Sequence, residues 1–86
     1  MDENLIEEYF LATGKVLKMI REEKQISQKE LADFIHKDES HINLIESGKY
    51  DFDMQDFLNI LLRLNITPIN FGRALEKYVK DQSLNR

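Results

Sequence analysis

Ile26-Ser27-Gln28-Lys29-Glu30-Leu31-Ala32-Asp33-Phe34-Ile35-His36-Lys37-Asp38-Glu39-Ser40-His41-Ile42-Asn43-Leu44-Ile45-Glu46-Ser47-Gly48-Lys49 is the stretch on which the fold turns. Ser27 and Glu30 have capping-box spacing: the serine oxygen accepts from the Glu30 N–H and the glutamate reaches back. A helix is therefore predicted from about Gln28 to Ile35. Asp38 reads as the N-cap of a second helix, from about Glu39 to Ser47, and Gly48 suits a left-handed residue that ends it. Only His36 and Lys37 clearly separate the two, so the chain must turn sharply. Ala32 is small where the helices cross, and Leu31, Ile35, Ile42 and Ile45 point into a shared core. Glu39, Ser40, His41, Asn43, Leu44 and Ser47 are left for solvent.

The same signals extend outward. Apolar residues follow helical spacing nearly throughout, with no sustained strand alternation and no Asn-Gly or Asp-Gly hairpin signal. A first helix is predicted from about Asn4 to Glu23, with Leu5, Ile6, Tyr9, Phe10, Val16, Leu17 and Ile20 on one stripe. Gly14 lies inside it, at a cost of about 1 kcal/mol relative to Ala; it could also mark a break or a close contact with another helix. Asp53 caps a fourth helix carrying Phe57, Leu58, Ile60, Leu61 and Leu64. Thr67-Pro68 opens a fifth, with Ile69, Leu75, Tyr78 and Val79 on its apolar face. The expected architecture is all-α: one five-helix domain over residues 1–80 around the 27–47 motif, then a frayed polar tail over 81–86.

Composition narrows the function. The 86 residues include no Cys, so disulfides and thiolate chemistry are excluded, which fits a cytoplasmic location. No apolar run approaches the roughly 20 residues that span a bilayer, so no membrane partner is expected, and the acidic N-terminus does not read as a signal peptide. Net charge is −4. Asp2, Glu3, Glu7 and Glu8 account for all of that excess, and the rest of the chain is balanced. His36 and His41, five apart across a junction, lack the i, i+4 spacing that sets two metal ligands on one face, so no metal is expected. There is no nucleophile–base pair, Gly-rich phosphate loop or His-carboxylate set, so neither an enzyme nor a cofactor is expected. Phe10, Phe52, Phe57 and Phe71 read as core.

A short helix with one apolar and one polar face, held on a scaffold, fits the major groove of double-stranded DNA. Ile26-Ser27-Gln28-Lys29-Glu30-Leu31-Ala32 followed by Ser40-His41-Ile42-Asn43-Leu44-Ile45-Glu46-Ser47-Gly48-Lys49 resembles the phage repressor/Cro (XRE) family of helix-turn-helix proteins, ungapped from Arg21 to Lys49 and loosely to about Ile66. The resemblance implies a transcriptional regulator. By position, Glu39, Ser40 and Leu44 fall where the family reads base edges, and Asn43 shares their face. Gln28 falls where the family contacts phosphate and supports the recognition helix. Lys49 and Tyr50 follow that helix where the sugar-phosphate chain is held, and Lys29, Lys37 and His41 lie around the same surface. Arg21 and Glu46 match a structural ion pair.

Three features depart from the family pattern: His36 stands at the usual turn glycine, Lys37 follows at a position that is often apolar, and Asp38-Glu39 makes the recognition helix start acidic. The expected function is sequence-specific binding of a two-fold DNA site as a homodimer, with the fifth helix and the N-terminal helix as candidate dimer surfaces. The alternative is a protein-interaction module on the same scaffold, an antirepressor or antitoxin-like partner, suggested by the acidic balance.

Overall fold

A computed structural model describes residues 3–49 and 52–84. They form five helices: α1 (Glu3–Glu23), α2 (Gln28–Phe34), α3 (Glu39–Glu46), α4 (Met54–Leu64) and α5 (Pro68–Leu84). The α2–α3 pair is a helix-turn-helix. Helix α1 packs on α3 and α5, and α4 bridges α2 and α5. Val16, Leu17, Leu31, Ala32, Ile35, Ile42, Ile45, Ile60, Leu61, Leu64 and Phe71 form one buried cluster, sealed by Ile26 from the α1–α2 loop.

The helix starts are set by local chemistry. Ser27 Oγ accepts from Glu30 N at 3.0 Å, and the Glu30 carboxylate faces back to Ser27 N at 3.5 Å. Asp53 accepts from Asp56 N at 2.8 Å, and Thr67 Oγ1 from Asn70 N at 3.1 Å. Asp38 occupies the N-cap position of α3 with an extended backbone, but its side chain makes no cap hydrogen bond. The His41 N–H goes to the Asp38 main-chain oxygen instead.

The first four helices end alike. Gln25, His36, Gly48 and Asn65 each take a positive φ, between 56° and 73°. After each, an N–H returns to a carbonyl five residues back: Ile26 to Arg21, Lys37 to Ala32, Lys49 to Leu44 and Ile66 to Leu61. This is the hydrogen bond of a Schellman motif, which satisfies carbonyls the helix leaves unpaired. Only one of the four left-handed residues is Gly. A left-handed backbone costs an L-residue about 1–2 kcal/mol, against about 0.4–1 kcal/mol for the extra freedom of Gly in the unfolded chain. His36→Gly should therefore raise stability by about 0.5–1 kcal/mol, read as a higher urea midpoint with an unchanged m-value.

Gly14 marks a close contact, not a break. It is buried within an unbroken α1. A Cβ there would collide with the carbonyl oxygen of Ile45 and lie 2.8 Å from that of Glu46, both main-chain atoms of α3. Helix α5 stays helical to Leu84, beyond the expected domain edge at residue 80.

Several apolar residues assigned to the core from spacing are exposed: Ile6 and Phe10 on α1, Leu58 on α4 and Ile69 on α5. In a domain this small the buried interior is too thin to cover every apolar stripe.

Candidate nucleic-acid interface

One carboxylate ties three helices together. Glu46, on the inner face of α3, accepts from Arg21 of α1 at 2.6 Å through Nε and 3.1 Å through Nη2. The same carboxylate accepts from Gln28 Nε2 of α2 at 2.9 Å. Arg21 also donates through Nη1 to the Ile26 carbonyl at 2.7 Å, which pins the loop before α2. The Arg21 and Glu46 side chains are only 8% and 3% exposed. Their attraction therefore acts with little solvent screening. The Glu46 hydrogen bond raises the Arg21 pKa above its ordinary value, and burial opposes it.

The outer face of α3 is unlike this. At about 100° per residue, Glu39, Asn43, Ser47, Ser40 and Leu44 occupy an arc of about 140°. All five are exposed. Ser47 Oγ turns back onto the Leu44 carbonyl. Among the described residues, the side chains of Glu39, Ser40 and Asn43 have no hydrogen-bond or ion-pair partner. Ile42, Ile45 and Glu46 make up the buried side.

His41 corrects an expectation. Its spacing predicts a solvent or groove-facing side chain, yet its Nε2 lies 3.3 Å from Asp56 Oδ2, and the two side chains are 16% and 12% exposed. Position 41 falls between Leu44 and Ile45 on the helical wheel, at the border of the buried face. There it meets the first turn of α4, where Asp56 is held by the Asp53 cap. The imidazole is thus turned toward α4, and the His41–Asp56 link is a contact that spacing within α3 alone could not show.

The other positions flank the α3 arc. Lys37 and Lys49 are exposed at its two ends. Lys29 is also exposed, with Asp33 at 3.4 Å. Arg63 of α4 approaches the capping residue Glu30 at 3.5 Å, which ties α2 to α4. Tyr50 lies outside the described residues. No group of three or more potential metal-ligating side chains occurs among the described residues.

A helix-turn-helix domain family model matches residues 14–71, about two thirds of the chain. The chain belongs to the helix-turn-helix domain family. Within it, the chain is of the phage repressor/Cro type. Among solved structures it is similar to a point mutant of the restriction-modification controller protein C.Esp1396I, at 25% identity and a TM-score of 0.76, covering 83% of this chain and 90% of that one. No curated protein matches. Helix-turn-helix membership together with this neighbour supports DNA-binding transcription regulation as the class of function. No described helix of this helix-turn-helix chain is long and apolar enough to cross a membrane.

Proposed function

We propose that the chain is a sequence-specific transcription regulator that lays α3 in the major groove of double-stranded DNA and binds a two-fold site as a homodimer. The observation that carries this reading is the contrast between the two faces of α3. Its inner face is locked by Glu46 to α1 and α2, while on its outer arc the side chains of Glu39, Ser40 and Asn43 have no partner among the described residues. Glu39, Ser40, Asn43 and Leu44 are the base-reading set. Lys37 and Lys49 take phosphates on either side, with Lys29 and Gln28 at the start of α2. One N–H of the Gln28 amide goes to Glu46, which leaves the second to donate to a phosphate oxygen. A cytoplasmic location accompanies this role.

One recognition helix reads only a few base pairs, so a second copy supplies the rest. Exposed apolar residues support such a dimer. Met54, Leu58 and Leu62 stand one turn apart along α4, Ile69 opens α5, and Leu62 and Ile69 are each 69% exposed. This adds α4 to the α1 and α5 surfaces expected from spacing. A two-fold axis through such a row makes each copy bury the same residues. Leu62→Glu should yield a monomer by sedimentation and weaken binding to a two-fold duplex at least tenfold, with unchanged helicity. A variant that stays dimeric moves the interface elsewhere.

The function is tested by selection from random duplex DNA at two salt concentrations. Enrichment of a two-fold motif is expected. Lys49→Ala should weaken binding to all sequences and reduce the salt slope by about one. Ser40→Ala with Asn43→Ala should instead relax base preference. No enrichment and no salt-dependent binding would sink the proposal and point to a protein partner on the same scaffold.

A further inference from the structure

Building on the DNA-binding role proposed above, we infer that α3 reads its site through the amino hydrogen of cytosine and the methyl group of thymine, and not through guanine. The chemical groups that α3 can offer decide which base edges it can read. In the major groove guanine shows two acceptors, O6 and N7, and its usual partner is Arg or Lys. Helix α3, Glu39–Glu46, contains neither. Its one imidazole, His41, faces Asp56 of α4. The nearest cations, Lys37 and Lys49, lie beyond its two ends, where the duplex backbone passes.

What α3 does offer is an acceptor and an apolar surface. Glu39 is exposed in the first turn and has no partner among the described residues. An ionised carboxylate only accepts hydrogen bonds. Cytosine N4 is a donor with one acceptor beside it, the O6 of its guanine partner, whereas adenine N6 lies between two, its own N7 and thymine O4, whose lone pairs repel a carboxylate from both sides. Glu39 therefore favours cytosine. Asn43, one turn on, has both the donor and the acceptor that adenine N6 and N7 require. Leu44 is 40% exposed one turn beyond Ser40, at the far edge of the arc. An apolar side chain there covers the thymine methyl. A G·C pair is thus read from its cytosine, and an A·T pair from both its bases.

Base analogues in the duplex enriched by selection test this with the full chain, by fluorescence anisotropy at fixed salt. Replacing each guanine in turn by 7-deazaguanine removes N7 and should change Kd less than twofold. Replacing the thymine under Leu44 by deoxyuridine removes one methyl and should raise Kd about fourfold. Leu44→Ala should erase that difference. Glu39→Gln should move the preferred base at its position from cytosine to adenine, since Gln pairs with adenine N6 and N7. A tenfold loss on 7-deazaguanine substitution under α3, or cytosine preference unchanged in Glu39→Gln, would overturn the inference while leaving the DNA-binding role intact. Failure of the native chain to bind any duplex would remove both.

Discussion

Glu46→Ala should cost about 3–5 kcal/mol of folding stability, because it leaves the Arg21 guanidinium buried without its counter-charge. A domain of this length has roughly 4–13 kcal/mol in total. The variant should therefore lose a large share of it and melt at least about 15 °C lower. The loss has three parts: the Arg21 charge is orphaned, Gln28 loses its acceptor, and α3 loses its tie to α1. Glu46→Gln should be milder, since its carbonyl can still accept from one donor. The double variant Arg21→Met with Glu46→Leu should recover much of the loss, but not all. The Ile26 carbonyl loses its Arg21 donor, at about 1–3 kcal/mol for a buried acceptor left unpaired. A double variant as unstable as Glu46→Ala would show that orphaned charge is not the main cost.

Gly14→Ala should also destabilise, against the trend of helix propensity. Ala in place of Gly within a helix is worth about 1 kcal/mol. Here the added methyl meets the main chain of α3 at Ile45 and Glu46, which cannot rotate aside as a side chain can. Overpacking of this kind costs about 1–3 kcal/mol, and rigid backbone neighbours put it at the upper end. A net loss of about 2 kcal/mol is expected, measured by urea unfolding. A stabilised Gly14→Ala would mean that α1 and α3 can separate at little cost.

These two positions show where sequence reasoning reached and where it stopped. Features encoded within one turn were legible. The Ser27–Glu30 box, the Asp53 cap and Thr67-Pro68 each involve residues within three positions, so their geometry follows from spacing, and Gly48 is the residue type that a left-handed helix end favours. The buried set Leu31, Ile35, Ile42 and Ile45 was legible because α2 and α3 are amphipathic. The capping role of Asp38 was only half legible: the backbone position was right, but its carboxylate is not used.

Long-range choices were not legible. Nothing in α3 alone turns His41 toward Asp56, fifteen residues on. Gln28 could face solvent or Glu46 from spacing alone, and only the packing of α2 on α3 chooses. Helix α4 carries apolar residues at Phe57, Leu58, Ile60, Leu61, Leu62 and Leu64, over an arc of about 200°, more than half of its circumference. Periodicity marks them all as greasy without saying which face is covered. The same ambiguity placed Ile6, Phe10 and Ile69 inside.

The division of α3 into a bound inner face and an exposed outer arc has a consequence for evolution. The side chains of Glu39, Ser40 and Asn43 hold nothing else among the described residues, so exchanging them should leave folding within about 0.5 kcal/mol. Mutations in the arc can change what is recognised without passing through unfolded intermediates, whereas Gly14, Arg21 and Glu46 allow little change. The helix behaves as a replaceable cassette in a fixed mount, and new target preferences are open to this chain one residue at a time.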